Sequence, residues 1–249
     1  MQKKRFLITG VSSGIGFQIS SDLLLEGHSV LGVSRRLTNK VKQLQVNYPE
    51  HFIFESLDIV KDIDALPKWV LYKSKELGKF DGFVHSAGIQ QILPLQINTY
   101  TYMREIFDLN VFSGLAFAKG ITDKRVMNER GGSIVFISSI ASKQGQAGLV
   151  NYSASKSALN GAARSMAKEL ASRKIRVNSV LPGFVMTEMI EKWQDVYSID
   201  YIEKMNQSYP LGIGEPKDVS SMVCFLLDQK AKWITGCEFD VNGGATLGE

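Results

Sequence analysis

The amino-acid sequence predicts one α/β domain spanning residues 1–249, a doubly wound parallel sheet with helices on both faces. Three features predict it. Short apolar runs alternate with helical patterns along almost the whole chain, the order that a parallel sheet with crossover helices requires. The runs are rich in β-branched and aromatic residues and do not alternate with polar ones, so they read as strands buried on both faces. Small, charged and hydroxyl-bearing residues collect where these runs end and the next helices begin, which is the edge where open α/β sheets bind ligands.

The first strand, Arg5–Thr9, carries Phe6-Leu7-Ile8 and runs into Thr9-Gly10-Val11-Ser12-Ser13-Gly14-Ile15-Gly16. An amphipathic helix follows over 15–26. Strand, glycine-rich turn and helix stand in the order a dinucleotide site needs. The glycines let the backbone approach a pyrophosphate without an intervening Cβ, and the helix presents free N–H groups and a positive dipole end. The spacing is G-x-x-x-G-x-G rather than G-x-G-x-x-G, and a glycine-rich turn alone is often only a turn.

The remaining elements continue the alternation. Strands are expected at Ser29–Ser34, His51–Leu57, Gly82–His85, Ser133–Ile137, Arg176–Leu181 and Glu238–Val241. Helices are expected near 38–48, 63–77, 99–129, 151–172 and 216–227.

Composition narrows the function classes. The hydrophobic content of 44% and charged content of 22% are ordinary for a globular protein. The net charge of +4 is mild, and the basic residues are scattered, Lys3-Lys4-Arg5 and Arg35-Arg36 being the notable clusters, too sparse for a nucleic-acid surface. Two cysteines, Cys224 and Cys237, cannot build a disulfide framework. Cys224 sits in an apolar helical run and reads as a small buried hydrophobe. A strand beginning at Arg5 leaves no room for a signal peptide, and no apolar run reaches membrane-span length, so a cytoplasmic, membrane-free protein is expected.

The second informative motif is Tyr152-Ser153-Ala154-Ser155-Lys156. Tyrosine and lysine at i and i+4 share one face of a helix. Ser138 and Ser139 lie upstream, at the end of Ile134-Val135-Phe136-Ile137. With the glycine-rich turn at 9–16, Asp58, Ala87-Gly88, Asn110 and Pro182-Gly183 with Thr187, these residues fall in the order and at the spacing of a known family. The chain resembles the short-chain dehydrogenase/reductase family, 3-oxoacyl-carrier-protein reductases and related carbonyl reductases in particular. The resemblance covers nearly the whole chain. It implies a seven-stranded sheet in the order 3-2-1-4-5-6-7 and hydride transfer between a nicotinamide cofactor and a carbonyl or alcohol.

The cofactor contacts follow. Gly10, Ser12, Ser13, Gly14, Ile15 and Gly16 would hold the pyrophosphate. After the second strand, an acidic residue would bind a ribose 2′-hydroxyl, whereas arginine accommodates a 2′-phosphate. Here Ser34-Arg35-Arg36 stand at that place, so NADP(H) is expected over NAD(H), with Arg35 the main contact and Ser34 a hydrogen-bond donor. By resemblance Asp58 accepts from the adenine amino group; the alternative is a helix N-cap for 63–77. Ala87 and Gly88 are the small pair beside the cofactor, although the family pair Asn-Asn before them is replaced by His85-Ser86. Pro182, Gly183, Val185 and Thr187 would hold the nicotinamide carboxamide. No metal ligand set accompanies His85.

The catalytic set implied is Asn110, Ser139, Tyr152 and Lys156. A tyrosine phenol can give a proton to the developing alkoxide, but its ordinary pKa near ~10 is high for cycling at neutral pH, and a nearby ammonium lowers it. Lys156 is that cation and would also hold the nicotinamide ribose. Ser139 would donate to the substrate oxygen, the family spacing of thirteen residues before Tyr152 selecting it over Ser138. Asn110 would position a water linking Lys156 to solvent. A substrate lid is expected over 186–210, rich in Met189, Ile190, Trp193, Tyr197, Tyr201, Met205 and Tyr209, with Gln90, Gln91, Gln146 and Leu149 flanking the pocket. Helices 99–129 and 151–172 would form a homotetramer or homodimer, with Ala158, Gly161, Ala162 and Ala163 permitting close approach. NADPH-dependent ketone reduction is the leading expectation. NAD-linked alcohol, sterol or polyol oxidation and non-catalytic NADP sensing are the rivals.

Overall fold

The computed structural model describes residues 3–188 and 198–246. β1 (Arg5–Thr9) is followed by α1 (Gly14–Leu25), β2 (Ser29–Ser34), α2 (Asn39–Asn47), β3 (Phe52–Ser56), α3 (Leu66–Leu77) and β4 (Gly82–His85). Then come α4 (Tyr100–Phe107), a π-turn (Asp108–Phe112), α5 (Ser113–Ile121), β5 (Gly132–Ile137), α6 (Val150–Leu170) and β6 (Ile175–Pro182). The chain closes with α7 (Ile199–Ser208), α8 (Pro216–Leu227) and β7 (Glu238–Val241). The strands form one parallel seven-stranded sheet in the order β3-β2-β1-β4-β5-β6-β7, as the family resemblance implies.

The sheet buries both faces. On one, Phe83, Phe117, Phe136 and Leu159 join β4, α5, β5 and α6. On the other, Ile8, Ile19, Val135, Val180 and Val223 join α1 and α8 to the central strands. Two apolar layers on one sheet explain why the strands are continuous apolar runs. Cys224 is only partly buried, at the margin of the second layer, and burial pushes its thiol up to about 12.

The largest departure from expectation is the helix at 99–129, which is three pieces ending at Ile121. Thr122 Oγ1 turns back to the Ala118 carbonyl at 2.8 Å, and Asp123 accepts from the Arg125 N–H at 2.8 Å, a local bonding pattern that competes with helix continuation. Val126 and Met127, which prolong the apolar helical pattern, are buried instead as a loop clamped to Phe80. The Phe80 N–H donates to the Val126 carbonyl and the Asn128 N–H to the Phe80 carbonyl, each at 2.9 Å. The other expected boundaries coincide with the observed ones or differ by at most three residues, as frayed ends do. No helix of the described residues is long and apolar enough to cross a membrane.

Candidate active site

The carboxyl ends of β1, β2, β4, β5 and β6 open into a cleft of about 1110 Å³. At its centre the β1–α1 turn depends on two glycines. Gly10 has φ +78°, and a Cβ there would lie 2.7 Å from Ala87 N; a Cβ on Gly16 would lie 2.5 Å from the Gly10 carbonyl oxygen. Any larger residue would push β4 away from the turn or unwind the first turn of α1. Ser12, Ser13, Gly14 and Ile15 line the cleft beside them.

The turn already holds an anion. Glu188 Oε2 accepts from the Gly14 N–H at 2.9 Å, and its Oε1 accepts from Lys40 Nζ at 2.8 Å. Burial would raise the Glu188 pKa, but Lys40 and the backbone donors outweigh it and hold the carboxyl below its ordinary value. The carboxylate stands where a phosphate oxygen would accept from the helix N-terminus. Neither Glu188 nor Lys40 was singled out from the sequence. Gly14 and Glu188 are 174 residues apart, and no periodicity links them.

At one end of the cleft lie Ser34, Arg35 and Arg36. Ser34 Oγ donates to the Arg36 carbonyl at 3.0 Å and Ser56 Oγ to the Arg35 carbonyl at 3.1 Å, so the backbone is tied down while both guanidiniums stay exposed. Asp58 is exposed on the cleft wall. The 3-10 turn before α3 is capped by Asp62, whose carboxylate accepts from Ala65 N, so the N-cap alternative for Asp58 does not hold.

At the other end stand Ser139, Tyr152 and Lys156. Ser138, 2% exposed, borders the cleft too, but its hydroxyl donates to the Lys156 carbonyl at 3.0 Å, anchoring α6 to β5. Ser139 Oγ accepts from the Ala141 N–H at 3.1 Å, which leaves its proton for the cleft. One turn of α6 carries Tyr152 and Lys156, with Lys156 Nζ 5.5 Å from the phenol ring centroid. Nζ donates to the Ile137 carbonyl at 2.8 Å, and burial pulls its pKa down to about 8. Asn110, fully buried, is presented by the π-turn. Its Oδ1 accepts from Ile89 N at 2.8 Å, and its Nδ2 donates to the Ile89 carbonyl at 3.0 Å and to Ser155 Oγ at 3.1 Å. A Cβ on Gly88 would meet Asn110 Oδ1 at 3.1 Å and Lys156 Nζ at 3.4 Å, so Gly88 brings the two together.

Pro182, Gly183, Val185 and Thr187 form the wall beyond β6. The Met186 N–H donates to the Gly214 carbonyl at 2.9 Å, and the Phe184 N–H to Tyr209 Oη at 3.1 Å. Gln90, Gln146, Leu149, Tyr201, Met205 and Tyr209 also line the cleft. Gln91 does not; its amide donates to Glu105 at 3.2 Å. Met189, Ile190, Trp193 and Tyr197 lie outside the described residues. Among the described residues no cluster of three or more His, Cys, Asp or Glu side chains could hold a metal ion.

Comparison with known proteins bears on this site. A family model described as enoyl-(acyl carrier protein) reductase matches residues 10–246. The chain belongs to the short-chain dehydrogenase/reductase family. It is 31% identical over 246 residues to the 3-oxoacyl-[acyl-carrier-protein] reductase FabG of Staphylococcus aureus, covering 97% of each chain. It is 32% identical over 254 residues to a 3alpha-hydroxysteroid dehydrogenase of Mediterraneibacter gnavus, covering 98% of each. Among solved structures, ElxO with NADP bound superposes with a TM-score of 0.88 at 28% identity, over 98% of this chain and 99% of that one. As a short-chain dehydrogenase/reductase it is an NAD(P)-dependent oxidoreductase acting on CH–OH and C=O groups.

Proposed function

We propose that this protein is an NADPH-dependent carbonyl reductase with Tyr152 as general acid. One observation carries the reading: a single cleft has two exposed arginines at one end and, at the other, a tyrosine and a serine above a buried lysine. Gly10 and Gly16 leave the backbone bare, Gly14 N–H holds a carboxylate oxygen, and Arg35 and Arg36 can meet a 2′-phosphate, so the residues fit the cofactor. When bound, the reduced nicotinamide supplies hydride to the carbonyl carbon. Ser139 donates to the carbonyl oxygen and favours the charge that develops there. Tyr152 delivers its phenolic proton to that oxygen. The ammonium of Lys156 favours the phenolate left behind, and Asn110 steadies the water path that returns the proton.

A 3-oxoacyl thioester or another ketone with an apolar substituent suits the side of the cleft formed by Ile89, Leu149, Phe184, Tyr201, Met205 and Tyr209. The assembly would be a homodimer or homotetramer. Ala158, Gly161 and Ala162 are partly exposed on α6, whereas Ala163 is buried in the chain's own core and is withdrawn from that interface.

Parallel fluorescence titrations with NADPH and NADH test the cofactor reading. NADPH is expected to bind at least ~10-fold more tightly, and Arg35→Ala to remove most of the difference, as loss of a charge-assisted contact worth roughly 1.5–3 kcal/mol would. Equal or tighter NADH binding would reject the preference and favour alcohol oxidation. A second expectation concerns Glu188, which competes for the Gly14 N–H. Glu188→Gln should tighten NADPH binding by roughly 5-fold at low salt, since it removes a negative charge from the phosphate locus. Unchanged or weaker binding would show that the carboxylate does not compete.

A further inference from the structure

His85 is a buried imidazole for which the proposed mechanism has no use. The family resemblance implies Asn-Asn at 85–86, and this chain has His-Ser. His85 ends β4, directly beneath the cleft, and is 1% exposed. Thr9 Oγ1 accepts from the Ser86 and Ala87 N–H groups, each at 3.2 Å, which uses both of its lone pairs. Its proton therefore donates to His85 Nδ1, 3.0 Å away. A neutral ring held this way carries its own proton on Nε2. Burial, and then the charge of Lys156, pull the pKa down to about 3, so the ring is neutral across the working range.

The Nε2 edge faces the π-turn. Nε2 has no hydrogen-bond partner, and the backbone of Leu109 and Asn110 is close enough to the ring to work against the fall in its pKa. Just beyond the turn, Gly114 of α5 has no room for a side chain: a Cβ would lie 2.7 Å from His85 Cδ2 and 2.9 Å from Nε2. The imidazole thus fills the space that a side chain at 114 would take. The widened turn between α4 and α5, which carries Asn110, rests on that ring. π-Turns inside helices are uncommon and favour functional positions.

We propose that His85 is a positioning residue for Asn110: fastened to Thr9 and fitted against Gly114, it sets the π-turn that presents the Asn110 amide to Ile89 and Ser155. The proposal rests on the catalytic reading above for its consequence in turnover, and on the Thr9 hydrogen bond and the packing against Gly114 for its geometry.

A double-mutant cycle tests it, using His85→Asn, Gly114→Ala and the two combined. Each is measured for reduction of acetoacetyl-coenzyme A by NADPH, for NADPH affinity by fluorescence, and for thermal unfolding. Each single change should lower kcat by roughly 10-fold while NADPH affinity stays within about twofold, and the double variant should recover most of kcat, because coupled neighbours are non-additive. Additive losses in the double variant, or parallel losses of affinity and kcat, would overturn the proposal. Nitrogen-15 spectra of the histidine rings give a readout that needs no turnover. They should show His85 as the neutral Nε2–H tautomer from pH 8 to pH 5; an Nδ1–H tautomer, or protonation within that range, would also overturn it. Absence of thioester reduction by the wild-type protein would count against the catalytic reading, and the melting-temperature coupling and the spectra would still decide the packing.

Discussion

Replacing Tyr152 with phenylalanine is expected to lower kcat by roughly 10²–10⁴-fold, the range for removal of a positioned general acid, with NADPH affinity within about twofold. The ring remains, so the packing near Lys156 Nζ, 5.5 Å from the ring centroid, is kept. Only the hydroxyl is lost. Steady-state kinetics with a ketone acceptor and a fluorescence titration of NADPH separate the two effects. Retention of more than about a tenth of wild-type turnover would leave Tyr152 outside the general-acid role and pass the proton to Ser139 or to water.

Lys156→Met is expected to abolish turnover and, in the cofactor-free protein, to raise stability. Burial pulls the Lys156 pKa from its ordinary 10.5 down to about 8. The native state therefore binds fewer protons than the unfolded state between those two values. By linkage, stability rises as pH increases through that window, and below pH 8 the native state carries the full cost of a buried ammonium. The shift corresponds to a cost on the order of 3 kcal/mol at neutral pH. Methionine also loses the hydrogen bond from Nζ to the Ile137 carbonyl, about 1.5–3 kcal/mol for a charged donor, which offsets part of the gain. Methionine fills similar volume without the charge. The variant should melt a few degrees higher at pH 7, and the alkaline rise in wild-type stability between pH 8 and 10.5 should be flattened in it. A lower melting temperature at pH 7 would mean that the hydrogen bond outweighs the desolvation. A stabilised, inactive variant is the signature of a residue held for chemistry at a cost to the fold.

The strands buried on both faces and the placement of Tyr152 and Lys156 on one helical face were legible from the chain because each depends on local pattern, whereas the strand order came from the family resemblance. A strand buried on both faces must be apolar throughout, a helix must repeat every three to four residues, and a glycine-rich turn between them has few other uses. The selection of Ser139 over Ser138 came from family spacing, and the structure adds a physical difference: both border the cleft, but the Ser138 hydroxyl donates to the Lys156 carbonyl while Ser139 Oγ only accepts, from the Ala141 N–H.

Where local pattern was ambiguous it misled. Val126 and Met127 look like the end of a helix because a buried loop and a helix face can have the same composition. Only the clamp to Phe80, more than forty residues earlier, decides that they form a loop. Ala163 looks like the small residue of an open helix face, yet it is 2% exposed because α6 turns that position toward the sheet. The amino-acid sequence by itself thus determined the architecture and the chemical residue types at the sheet edge, through short-range periodicity. Tertiary structure decided which distant groups share a point in space: Glu188 on the Gly14 amide, the Lys156 ammonium desolvated beneath Tyr152, and His85 seated against Gly114. These depend on contacts between residues far apart in the chain, and on burial that no local pattern reports.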